Sequence, residues 1–181
     1  MPSLNVETLE QLRVNYKDYP CFVETGTLNG DTVRNLSHLF EELNTVEIKE
    51  EFYLNAKELS KNHTNIKFYH GDSSRVLLDL IPNLKSPSIF FLDGHWSSGD
   101  TGRGVKDCPL VEEINAIKSL FKGKCVVIID DYRLFGTSRN EDWSDISKER
   151  LMSILGDSLM RCYTLPSTED PQDRLVFELN M

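Results

Sequence analysis

Apolar residues recur along this chain in two alternating rhythms. Short β-branched or aromatic runs predict strands at 21–24, 45–48, 65–69, 88–92, 125–129, 160–165 and 174–179. Between them the spacing turns helical. A short helix is expected over 6–14, and Val33, Leu36, Leu39, Phe40 and Leu43 fall on one helical face. Phe52, Ala56 and Leu59 mark the next helix, and 76–84 another that stops before Ser86-Pro87. Leu110, Val111, Ile114, Ile117, Leu120 and Phe121 give the clearest amphipathic helix, and a last one is expected over 146–155.

The runs at 88–92 and 125–129 are almost wholly apolar, as strands covered on both faces are, so they belong in the middle of a sheet. The pattern predicts a single-domain α/β fold, doubly wound, with a mostly parallel seven-stranded sheet and helices on both faces. The last two strands pair antiparallel across the 166–173 turn, at one edge. In chain order this gives an N-terminal helix in 1–19, a core in 20–135, and a specificity loop with the edge hairpin in 136–181.

Composition narrows the partners. The 181 residues suit one domain with a real core. The 29 acidic residues outnumber the 20 Lys and Arg, for a net charge of −9, which argues against nucleic acid or anionic lipid. With 39% hydrophobic residues and a mean hydropathy of −0.37 the chain reads as globular. No apolar run approaches the ~20 residues that span a bilayer. The first residues, MPSLNVETLEQ, lack the basic stretch and apolar core of a signal peptide. Cysteines at 21, 108, 125 and 162 form no CxxC pair and read as reduced thiols, so a cytoplasmic protein is expected.

In an open α/β sheet, ligands bind at the carboxyl ends of the strands, so those ends carry the candidate chemistry. The first strand runs into Glu24-Thr25-Gly26-Thr27-Leu28-Asn29-Gly30-Asp31-Thr32. Leucine at 28 breaks a G-x-G-x-x-G fingerprint, and Asp31-Thr32 replaces the Lys-Ser/Thr pair of a Walker loop. What remains is a loop whose backbone can approach a flat or zwitterionic ligand, or a glycine turn serving helix–strand packing. The second strand ends near Glu47, an acid able to accept from vicinal ribose hydroxyls. The third ends in His70-Gly71-Asp72-Ser73, a polar cluster or simply a helix N-cap. Strands four and five end in Leu92-Asp93-Gly94-His95-Trp96 and Ile129-Asp130-Asp131-Tyr132. Three carboxylates meeting at adjacent strand tips would repel one another, and a hard divalent cation is the economical remedy.

This order of motifs resembles the class I S-adenosylmethionine-dependent methyltransferases over residues 20–135. Its later part is similar to the metal-dependent O-methyltransferases of the catechol and macrocin types, through Leu92-Asp93-Gly94-His95 and Ile129-Asp130-Asp131-Tyr132. The resemblance implies that Glu24, Gly26, Thr27 and Gly30 line the amino-acid end of S-adenosyl-L-methionine, with Thr32 near its carboxylate. Glu47 would hold the ribose, and Asp72 with Ser73 would face the adenine. Asp93, beside the cofactor, would bind Mg2+ (or Mn2+) with Asp130 and Asp131. His95 stands where the family has its general base.

A neutral alcohol is a poor nucleophile near pH 7; an ion lowers its pKa and an imidazole can remove its proton. Because an octahedral ion keeps positions beyond three carboxylates, the expected acceptor is a small vicinal diol, a sugar, glycoside or catechol-like molecule. Residues 94–109 hold four of the ten glycines with Arg103 and Lys106, a connection long enough to be a lid or a mobile insertion. Only about 20 residues precede the first strand, which leaves the acceptor site open or completed by a second subunit in a homodimer. The alternative is a non-catalytic module that binds adenosylmethionine or a nucleotide. An oxygenase or hydrolase is disfavoured, since no two-histidine-one-carboxylate set is evident.

Overall fold

The computed structural model describes residues 4–181. Seven strands form one sheet: β1 Cys21–Thr25, β2 Glu42–Glu47, β3 Ile66–His70, β4 Ser88–Leu92, β5 Lys124–Ile129, β6 Leu159–Leu165 and β7 Arg174–Asn180. Their spatial order is β3-β2-β1-β4-β5-β7-β6. Strands β1 to β5 pair in parallel, whereas β7 runs antiparallel to both β5 and β6. The doubly wound sheet with an antiparallel edge expected from the sequence is thus the fold, and β4 lies at its centre.

Alternation along the strands builds a core on each face, because successive side chains point to opposite sides. Val23 and Phe90 join the core beneath α4 (Ser73–Leu80), α5 (Leu110–Leu120) and α6 (Lys148–Leu155). Phe22 and Phe91 face the other way, toward α1 (Val6–Glu10) and α2 (Asp31–Leu36). A fully buried phenylalanine contributes ~1.5–3 kcal/mol through burial alone, so these pairs anchor both layers. α3 (Glu50–Leu59) packs mainly against β2 and β3.

One predicted boundary is corrected. Leu39, Phe40 and Leu43 match a helical face but lie outside α2, which stops at Leu36. Asn65 donates its side-chain amide to the carbonyls of Ser37 and Phe40, fixing a turn there. Leu43 pairs with Phe22 within β2. The helical match arose because Leu36, Phe40 and Leu43 reach the same core from a helix, a turn and a strand in succession. The first helix is also shorter than the 6–14 spacing predicts, ending at Glu10. Among the described residues no helix is long and apolar enough to cross a membrane.

Candidate active site

All five parallel strands deliver their carboxyl ends to one side, where two clefts adjoin. The first lies over the carboxyl ends of β1, β2, β3 and β4. Gly26, Glu47, Asp72, Ser73 and Asp93 line it, so five of the predicted cofactor contacts are gathered there. The strap 94–109 contributes Ser97, Thr101, Gly102, Gly104 and Lys106 from the opposite side.

Gly26 is required by the backbone around it. Its φ is +85°, and a Cβ there would come within 2.2 Å of the Asp93 carbonyl oxygen. The β1 and β4 turns therefore touch main chain to main chain. Glu47 accepts the backbone N–H of Leu28 on one oxygen and that of Lys49 on the other, at 2.8 and 2.9 Å. Both oxygens are thereby fixed, and each keeps a lone pair for a ligand hydroxyl. Asp72 caps α4 by accepting from the N–H and hydroxyl of Ser74. It serves as a cap and as a wall of the cleft together.

The other predicted contacts do not reach this cleft. Gly30, at φ +73°, begins α2 and lies against Ala56 of α3. Thr27, Thr45 and Glu24 form a buried chain, with Oγ1 of Thr27 2.6 Å from that of Thr45, which donates to Glu24 at 2.8 Å. Thr32 is buried beside Glu24. Burial pushes the Glu24 carboxyl up to about 8, beyond what the threonine hydroxyls recover. The folded state thus holds a proton that the unfolded chain releases above about 4.5. Glu24 stabilises the fold below that value, and the contribution is lost as pH rises toward 8. Glu24→Gln, which keeps a neutral acceptor, is expected to flatten this dependence and leave the variant more stable than the wild type at about pH 9. Urea titrations at about pH 5 and 9 measure it; an unchanged slope between them would place the proton elsewhere.

The strap is fastened across the first cleft. Lys49 donates to the Asp100 carbonyl at 2.6 Å and pairs with its carboxylate at 2.7 Å. Gly102 lies so close to Ile48 that a Cβ would approach to 2.2 Å, and one on Gly104 would reach Asp72 at 2.8 Å. The glycines and the length of the connection were the sequence signals for this covering. Leu28, Ile48 and Phe52 also line the cleft and carried no distinguishing signal.

Asp93, His95 and Ser97 are shared with the second cleft, which adds Asp130, Asp131, Arg133, Glu141 and Glu169. His95 is almost entirely buried between two carboxylates. Its Nε2 lies 3.0 Å from Asp131 Oδ2, and its Nδ1 3.6 Å from Asp93 Oδ1, too far for a hydrogen bond. Burial lowers the imidazole pKa, but the Asp131 hydrogen bond and the two nearby charges outweigh it and raise it overall. Burial drives Asp93 well above the ordinary carboxyl range. For Asp131, burial is outweighed by His95 and Arg133, and its pKa falls. Asp131 occupies the left-handed region at φ +57°, which suits Asp better than most side chains.

The predicted trio of Asp93, Asp130 and Asp131 does not converge as a set. Asp130 turns to Arg174, whose Nε lies 3.2 Å from Oδ1, and the same guanidinium reaches Thr8 of α1. Arg133 pairs with Asp131 at 2.5 Å and also with the buried Asp173. Among the described residues, two sets bring three ligand atoms within 4.8 Å of one another: Asp93–His95–Asp131 and Asp130–Asp131–Asp173. Arg133 and Arg174 already pair with the three carboxylates of the second. The first retains Asp93 Oδ1, a buried oxygen with no hydrogen-bond partner among the described residues.

Reasoning from sequence missed Arg174, Asp173 and Glu113. Glu113, on α5, is buried below the Gly94 turn, and burial raises it to about 7 against the hydroxyls of Ser73 and Thr25. Its position in the clearest amphipathic helix hid it. Trp143, in the loop after β5, is buried, its ring 4.8 Å from that of His95.

Neither a protein-family model nor a curated protein matches the sequence. Solved structures do match in fold. The Streptococcus mutans protein SMU.1697c, in complex with SAH, superposes with a TM-score of 0.56 at 16% identity, covering 90% of this chain and 89% of that one. A SAM-dependent methyltransferase from Aquifex aeolicus gives 0.52 at 13% identity over 88% and 81% of the two chains. An rRNA methylase from Streptococcus thermophilus gives 0.51 at 14% identity over 90% and 87%. The chain has the Rossmann-like fold of the S-adenosylmethionine-dependent methyltransferases.

Proposed function

We propose that this chain is an S-adenosylmethionine-dependent O-methyltransferase acting on a small vicinal-diol acceptor such as a sugar or glycoside. The observation that carries this reading is the meeting of the two clefts at Asp93, His95 and Ser97. A donor in the first and an acceptor in the second would face each other across those residues. S-adenosylmethionine, when bound, supplies an electrophilic methyl on a sulfonium sulfur. Transfer of that methyl to an acceptor hydroxyl would release the hydroxyl proton, which a residue of the site must take up.

The first cleft fits such a donor. Glu47 is fixed to accept ribose hydroxyls, Asp72 and Ser73 stand at the start of α4, and Ile48 and Phe52 give an apolar wall. The proton falls to His95. Asp131 holds Nε2, which leaves Nδ1 as the nitrogen without a hydrogen bond and, in the neutral ring, the acceptor. The orphaned Asp93 Oδ1 fits a divalent ion, for which Asp93 and Asp131 would be ligands with His95 beside them. Such an ion, Mg2+ or Mn2+, would supply Lewis acidity that lowers the acceptor's pKa. Asp130, committed to Arg174, is assigned to the scaffold instead. The net charge of −9 supports a small acceptor over an RNA, although structures of this fold from Streptococcus thermophilus and Clostridium thermocellum are named rRNA methylases.

Thermal unfolding tests the donor claim. S-adenosylhomocysteine at about 100 times its dissociation constant is expected to add roughly 2.7 kcal/mol. That raises Tm by several degrees in a domain of this size, at ~2–4 °C per kcal/mol. Absence of any shift at saturation would overturn the reading. A shift that survives a chelator, with methyl transfer lost on chelation and restored by Mg2+ or Mn2+, is the result expected of the ion. A shift without transfer to any acceptor would point to a binding module.

A further inference from the structure

The strap over the first cleft is joined to the loop that walls the second, and Asp107 makes the joint. Its side chain is largely buried near the end of the strap. Oδ1 accepts from Arg103 Nε at 2.6 Å, and Oδ2 accepts the backbone N–H of Asp142 at 3.1 Å. The Asp107 carbonyl accepts the Trp96 N–H at 2.7 Å, which ties the two ends of the strap together. The Arg103 guanidinium lies 4.3 Å over the Trp96 ring. Among the described residues, the Asp142 contact is the one hydrogen bond between residues 94–109 and 136–146.

Both sides of that joint reach a cleft. On the strap, Ser97 lines both clefts, and Thr101, Gly102 and Gly104 line the first. On the loop, Asp142 stands between Glu141, which lines the second cleft, and Trp143, whose ring packs on His95. Trp143 is braced in turn: its main chain bonds to Gly136 and Thr137, and its indole N–H donates to Glu141 at 3.1 Å. The strap's other fastening is weaker, because Asp100, the partner of Lys49, is exposed, and an exposed ion pair holds little. A donor touching Ser97, Thr101, Gly102 and Gly104 would therefore decide where the strap rests.

We infer that Asp107 is a positioning residue that couples the two clefts: a donor seated against the strap fixes, through Asp107 and Asp142, the loop that sets Trp143 against His95. The acceptor side is then completed only once the donor is bound, and by linkage an acceptor there tightens the donor in return. This rests on the donor half of the methyltransferase reading. The two fail separately, because stabilisation by S-adenosylhomocysteine is measured in the same samples.

The chain's two tryptophans place one reporter on each element. In indole N–H NMR spectra of the full chain, assigned with Trp96→Phe and Trp143→Phe, saturating S-adenosylhomocysteine is expected to move both signals. In Asp107→Ala the Trp96 signal should still respond and the Trp143 response should be lost, with stabilisation by S-adenosylhomocysteine retained. Asp107→Asn, which keeps an acceptor for the Asp142 N–H, should preserve the Trp143 response, and so should Arg103→Ala, which leaves that contact in place. Amide exchange of the wild type needs no variant: the Asp142 N–H should exchange more slowly with S-adenosylhomocysteine bound. A Trp143 signal that the ligand leaves unmoved, an Asp142 amide it does not protect, or an equal Trp143 response in Asp107→Ala overturns the inference while the methyltransferase reading stands. Absence of stabilisation by S-adenosylhomocysteine overturns both.

Discussion

Asp130→Ala is expected to cost about 3–5 kcal/mol of stability, the range for removing one partner of a buried ion pair. At ~2–4 °C per kcal/mol that lowers Tm by roughly 10 °C. The reason lies with the group left behind. Arg174 is nearly inaccessible, and without Asp130 its guanidinium keeps only the Thr8 hydroxyl and the Pro166 carbonyl. A buried cation with two neutral partners is poorly compensated. Because Thr8 lies in α1, the loss extends to the docking of the N-terminal helix on the sheet. Asp130→Asn keeps an oxygen for Arg174 Nε and should recover part of the loss. Calorimetry of the three proteins decides the matter. If Asp130→Ala melted with the wild type while losing methyl transfer, Asp130 would be a ligand and its pairing with Arg174 incidental.

This expectation shows what the sequence could reveal and what it could not. The strands at 88–92 and 125–129 were legible because a strand buried on both faces must be apolar throughout, and few other arrangements tolerate such a run. Once they were placed, the Asp residues after them had to lie near the carboxyl edge of the sheet. Their partners were a different matter. Arg174 is 44 residues from Asp130 and opens β7, the antiparallel strand between β5 and β6, and nothing local in Arg174-Leu175-Val176 marks the arginine as buried. Which of three neighbouring carboxylates stays available depends on where two arginines fold back, a tertiary fact. The same holds for Glu24 and Thr27. Their positions at the carboxyl end of β1 suggested a ligand, whereas the structure turns them inward to Thr45 on the neighbouring strand. Gly26 was legible as a position that needs a glycine, and close contact with the Asp93 carbonyl accounts for that need.

For Asp93 the balance is reversed. Asp93→Asn should reduce methyl transfer by about 10²–10⁴-fold, the span associated with losing a positioned acid–base or charge contribution. The fold should be unharmed or slightly more stable. Burial raises the Asp93 pKa, Asp130 and Asp131 add repulsion, and Oδ1 makes no hydrogen bond, so its charge burdens the folded state. Groups retained at such a cost concentrate where function demands them. The asparagine removes the charge that would hold an ion and that acts on His95 Nδ1 from 3.6 Å, while Gly26 still packs against the Asp93 backbone carbonyl, which the substitution leaves in place. Stabilisation by S-adenosylhomocysteine should therefore survive. Activity lost, Tm held or raised, and ligand shift intact would together separate Asp93 from Asp130, two carboxylates on adjacent strand tips with opposite duties. Loss of the ligand shift in Asp93→Asn would instead assign Asp93 to donor binding and leave His95 and Asp131 to act without it.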